Sequence, residues 1–153
     1  MKAYLLEEPN RSFAADDLSK FGVFHRRLPV AGADAEIARI KGDRGYVEQD
    51  EVALSKETPN LETICAKFDK EHYHTLDEVR FVVDGEGIFD VRDTNDRWVR
   101  IEVDAGDLII IPANKYHRFY LKSSKNIRCL RLFLNSEGWA PLYRETATEM
   151  SRA

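Results

Sequence analysis

The chain has 153 residues, 43% apolar and 33% charged, with 23 basic against 27 acidic side chains and a net charge of −4. A chain of this length buries roughly two thirds of its unfolded surface, enough for a core without staples. Its acidic balance argues against nucleic acid as a partner, because phosphate contacts need a basic face.

No run nears the ~20 apolar residues of a membrane span. The opening residues 1–6 meet Glu7 and Glu8, so no secretory core is readable and a cytoplasmic location is expected. Residues 1–6 read as a short strand and 16–20 as part of a short helix. Residues 22–28 alternate apolar and polar side chains, a strand closed by Pro29. Residues 33–41 carry Ile37 and Ile40 on one face, and Gly42 is the expected stop of that helix. Residues 51–54 read as a strand. Thr58 and Pro59 are expected to start a helix carrying Leu61, Ile64, Cys65 and Phe68 on one side.

From His72 onward the texture is that of short strands: 79–83, 88–91, 98–103, 107–111, 118–121 and 127–134. Turn chemistry separates them at 84–87, 93–96, 105–107 and 123–126. Strands of this spacing suggest a β-sandwich or small barrel. The tail after Trp139 reads as irregular. Cys65 and Cys129 fit neither a disulfide framework nor a zinc spacing, and read as buried thiols.

Chemistry concentrates around the histidines. His72, His74, Glu78 and Arg80 share one parity, so an extended chain points them to one side, away from Val79, Phe81 and Val83. Imidazole with carboxylate suits a borderline divalent metal. A lone His-x-His is as readily an exposed strand pair. A second segment, Gly106 to Pro112 and on to Asn114 and His117, reads as turn, buried strand, proline-marked turn and histidine. His25 has no partner residue close in sequence and reads as a surface or packed histidine. Lys122, Lys125, Arg128 and Arg131 read as a solvated strand edge.

The two segments resemble the paired motifs of the cupin superfamily. His72, His74, Glu78 and Gly85 match the first, and Gly106, Pro112, Asn114 and His117 the second. Ala66, Asn114 and Leu121 depart from it at positions that serve backbone geometry. The run from Glu71 through Phe81, the run from Gly85 through Arg92, Arg131-Leu132-Phe133 and Glu137-Gly138-Trp139 resemble the acireductone dioxygenases of methionine salvage. So do Phe21-Gly22-Val23 and Arg44-Gly45-Tyr46 upstream, and the likeness spans residues 20–143.

The resemblance implies a mainly β fold: a cupin (jelly-roll) β-barrel with a few short helices, mostly N-terminal. It implies a single domain over 1–153, with a mixed α/β part at 1–60 packed on a metal-binding barrel core at 68–134. His72, His74, Glu78 and His117 are the implied metal ligands, holding one Fe(II) or Ni(II) per chain. Arg80 is the implied catalytic residue and Phe68 and Trp139 the implied substrate-binding aromatics, although both read equally as core packing. Arg80 alone would also fit a surface ion pair, and Asp77 reads as a turn acid supporting the ligands. The implied substrates are acireductone and O2. With iron the implied products are formate and a keto acid; with nickel, formate, carbon monoxide and a shorter acid. A monomer is expected. Two rival readings remain: another metal-dependent cupin dioxygenase or isomerase, and a cupin without enzymatic activity. Phe68, Arg80 and Trp139 together separate the first, and loss of a ligand or of Arg80 would mark the second.

Overall fold

A computed structural model describes residues 1–136 and 138–144. In chain order the elements are β1 (Lys2–Leu5), β2 (Glu8–Ser12), α1 (Ala15–Ser19), β3 (Phe24–Arg27), α2 (Asp34–Arg44), β4 (Glu48–Leu54) and α3 (Leu61–Phe68). Then follow β5 (His72–Tyr73), β6 (Glu78–Arg92), β7 (Trp98–Asp104), β8 (Asp107–Ile111), β9 (His117–Leu121), β10 (Ile127–Phe133) and β11 (Leu142–Tyr143). No described helix is long and apolar enough to cross a membrane. Glu137 and residues 145–153, including the last of the expected domain, lie outside the described residues.

The architecture turns on β6. Its first half pairs with β8 and β10, giving the sheet order β3-β8-β6-β10-β4. Its second half pairs with β7 and β9, giving β2-β1-β7-β6-β9-β5-β11. One 15-residue strand therefore serves two sheets. The pairings among the described residues do not close into a ring, so the expected jelly-roll barrel is an open one.

The crossing between sheets lies at 84–87, expected as a turn and found inside a continuous strand. Gly85 takes φ +81°, and a Cβ there would meet the Asn126 carbonyl oxygen at 2.1 Å. The register against β10 shifts nearby, between Arg128 and Cys129. Such a bulge changes which parity faces inward. Before it, Val79 and Phe81 pack outward beneath α2, against Ile37, Ile40 and Tyr46, while Val82 faces the interior. After it, Phe89 and Val91 face the interior. Strand β8 is buried on both faces, Ile109 and Ile111 inward and Leu108 and Ile110 outward, which explains its uninterrupted apolar run.

Two helix boundaries differ from expectation, and some strands were not expected at all. Helix α2 runs through Gly42 and stops at Gly45, whose φ is 77° and whose N–H bonds the Lys41 carbonyl. The buried Tyr46 follows at once, so the chain leaves the helix where an aromatic can enter the core. Thr58 closes a turn, its hydroxyl accepting from the Ser55 N–H at 2.9 Å, and α3 begins only after Asn60 at φ 57°. Strands β2 and β11 carry no buried face, and so no alternation marked them in advance.

Candidate metal centre

Between the two sheets the interior is filled at one end by Leu5, Leu18, Val99 and Ile101. Toward the other end it contains polar groups. His72 comes from β5 and His74 from just beyond it; Glu78 opens β6 and His117 opens β9. His72 and His117 are direct ladder partners. The four are 1, 2, 5 and 2% exposed, respectively. Ligand nitrogens of the three histidines all lie within 4.8 Å of one another. The Glu78 carboxylate stands 3.7 Å from His74 Nε2 and 3.3 Å from His117 Nε2.

The backbone orients each ring. Nδ1 of His72 lies 2.6 Å from the Lys70 carbonyl, that of His74 3.0 Å from Ala140, and that of His117 2.8 Å from Lys115. A carbonyl only accepts, so each Nδ1 carries the hydrogen and each Nε2 presents a lone pair. Buried Nε2 atoms of His74 and His117, with one Glu78 oxygen, have no hydrogen-bond partner among the described residues. Buried polar atoms without partners are costly. A cation between them would satisfy all three atoms, and three imidazoles with one carboxylate suit a borderline divalent ion.

Neighbouring groups set the charge of each side chain. Burial, with the neighbouring His117 ring, lowers the His72 pKa to about 4, which leaves this ring neutral near pH 7. Burial works against charge on His74, but the Glu78 carboxylate outweighs it and raises the pKa. Burial likewise opposes charge on Glu78, yet Arg80 and the His117 and His74 rings hold its carboxyl well below the usual range.

A cavity opens on this centre. His72, Glu78 and His117 face it on one side with Arg80, whose Nη2 lies 3.4 Å from Glu78 and whose buried Nε has no partner among the described residues. The opposite wall is apolar: Leu54 of β4, Ile64 and Phe68 of α3, and Phe119 of β9. Trp139 is not part of this wall. It packs on the ligand side, 6.5 Å from the His74 ring and 4.4 Å from Phe133, with the Arg80 guanidinium 5.3 Å from its indole. Asp77 anchors turns, accepting from the Tyr46 hydroxyl at 3.0 Å and the Ala113 N–H at 2.9 Å.

One reading of a basic residue holds and one changes. His25 is packed against a partner distant in sequence, donating from Nε2 to the buried Asp107 at 2.8 Å. Arg131 is no solvated edge: it lines the cavity, sits opposite Arg80 in the ladder, and grips Asp50 through two hydrogen bonds of 2.8 and 2.6 Å. Its parity with Ile127 and Cys129, both buried, was the available signal. Cys129 also lines the cavity, while Cys65 is only half-buried.

Comparison with known proteins gives consistent results. The family model described as ARD/ARD′ matches residues 5–141. An acireductone dioxygenase of Heterostelium pallidum is 42% identical over 144 residues, covering 94% of this chain and 98% of that protein. One from Dictyostelium discoideum is 42% identical over 146 residues, covering 94% and 99%. Among solved structures, an acireductone dioxygenase from Bacillus anthracis with a cadmium ion in its active centre superposes with a TM-score of 0.86. It is 30% identical, covering 93% of this chain and 97% of that one.

Proposed function

The chain belongs to the ARD/ARD′ family, and from that membership we propose that it is a metal-dependent acireductone dioxygenase. Its substrate in this reading is 1,2-dihydroxy-5-(methylthio)pent-1-en-3-one. The observation that carries the reading is the convergence of three backbone-oriented imidazoles and a partnerless carboxylate oxygen at the head of a cavity.

In this proposal His72, His74, Glu78 and His117 hold one Fe(II) or Ni(II). The ion would act as template and charge stabiliser for an enediolate and O2. The Nδ1 bonds to Lys70, Ala140 and Lys115 keep all three lone pairs aimed inward without rearrangement. Arg80 is the catalytic side chain: its partnerless Nε–H is a donor for an oxygen of the anionic substrate. Phe68, with Leu54, Ile64 and Phe119, takes the methylthioalkyl tail and excludes water. Trp139 contributes from the ligand side, fixing Arg80 and His74. The cavity needs no second copy of the chain, so a monomer suffices.

The test is to strip the protein, reload it with Fe(II) or Ni(II), and identify the products formed from acireductone in air. Formate with 4-methylthio-2-oxobutanoate is expected from the iron form. Formate, carbon monoxide and 3-(methylthio)propanoate are expected from the nickel form. A folded, metal-filled protein that leaves acireductone untouched would overturn the substrate assignment.

A further inference from the structure

Residues 138–144 cross the outside of the metal centre as a strap. Ala140 accepts from His74 Nδ1 at 3.0 Å. Leu142 and Tyr143 form β11, paired with Tyr73 and His72. The Tyr143 hydroxyl donates to the Lys67 carbonyl at 2.8 Å, tying the strap to α3 and hence to the Phe68 wall. The strap therefore touches both His72, through strand pairing, and His74, through Ala140, as well as the helix that lines the cavity.

Arg144 fastens its end. Its N–H bonds the Glu71 carbonyl at 3.1 Å. Its guanidinium donates to the Glu71 carboxylate at 2.9 Å and, through both terminal nitrogens, to Asp96 at 2.9 and 3.1 Å. The same guanidinium lies 4.7 Å from the centre of the Tyr116 ring. Glu71 immediately precedes His72, and Tyr116 immediately precedes His117. Arg92 also donates to the Glu71 carboxylate, at 2.8 and 3.2 Å, so the carboxylate that receives Arg144 is itself fixed. An isolated surface ion pair contributes little, but a forked guanidinium joined to two carboxylates and a ring restricts geometry.

We propose that Arg144 is a positioning residue for the metal centre. It acts through Glu71, Tyr116 and the strap, and sets how long His72, His74 and His117 retain a cation. The inference rests on the four-residue metal centre proposed above and adds a residue that touches neither metal nor substrate.

The test loads wild type, Arg144→Ala, Arg144→Lys and Leu18→Ala with cobalt(II) as the probe. Release to excess chelator is followed by the visible cobalt band, at one temperature where all remain folded. Leu18→Ala calibrates plain destabilisation, since Leu18 is fully buried in the interior away from the strap. Arg144→Ala is expected to release cobalt about tenfold faster, the lower end of what lost support around metal ligands costs. Arg144→Lys, which cannot fork, should fall between it and wild type, and Leu18→Ala should release at the wild-type rate. If Arg144→Ala fails to fold, Asp96→Asn weakens the fork while leaving Glu71 in place, and it too should release faster. Release at the wild-type rate from Arg144→Ala, or from Asp96→Asn in its stead, would overturn the proposal. So would equal acceleration by Leu18→Ala. A wild-type protein that holds no cobalt would overturn the metal-centre reading and the inference together.

Discussion

Arg80 is the side chain where holding a metal and using it come apart. It is half-buried against Glu78, supports that carboxylate in its charged form, and keeps one donor with no partner among the described residues. Arg80→Ala is expected to retain metal and lose about 10²-fold in kcat, the scale of removing one donor to a developing oxyanion. Metal analysis and turnover on the same preparation check this; activity falling only in step with metal content would make Arg80 a support for Glu78 and nothing more. At this scale the sequence was informative where local spacing sets direction. Strand parity aligned Glu78 with Arg80, and the structure also brings His72, His74 and His117 to the same point. It was uninformative where partners are far apart along the chain: Arg131 with Asp50, His25 with Asp107, and Ala140 with His74 meet only through sheet pairing.

Among the elements, β6 matters most. Reading residues 84–87 as a turn followed ordinary turn chemistry, and the residues do bend the chain, but within one strand that changes sheets. Nothing local distinguishes a bulge that bends from a turn that reverses; the Ile127 and Asn126 side of β10 decides it, by pairing with Gly85 and accepting the Glu86 N–H at 2.9 Å. Gly85→Ala would place a methyl group against the Asn126 carbonyl in left-handed backbone. It is expected to cost about 2 kcal/mol or more, because that conformation alone costs about 1–2 kcal/mol for a residue with a Cβ. Urea denaturation reads this directly, and an unchanged midpoint would show that the bulge relaxes freely. Helix α2 taught a related lesson: two glycines could end it, and the burial of Tyr46 rather than local propensity selects Gly45.

For the whole molecule, acid stability turns on Asp107, which is fully buried at the start of β8. Burial alone would raise its pKa, but the His25 N–H, the Asp104 N–H and nearby positive charge outweigh this and hold it far below the usual carboxylate range. A depressed carboxyl stabilises the fold above its unfolded pKa of about 3.9, and that contribution fades as pH falls toward the folded value. Asp107→Asn should therefore be less stable than wild type by about 3 kcal/mol at pH near 7, the scale of breaking a buried pair. The gap should narrow steadily below about pH 4. Denaturation midpoints at neutral and acid pH check the sign, and a gap that widens in acid would refute it. The strand shared by both sheets also bears on how the protein comes apart. Peeling either sheet open strips hydrogen bonds from β6, which is interior to both orders. Opening either sheet at its centre loosens the strand on which the other is also centred. Amide protons along β6 are then released to solvent together, in the global opening event, while those of the outlying β2 and β11 exchange through local fraying.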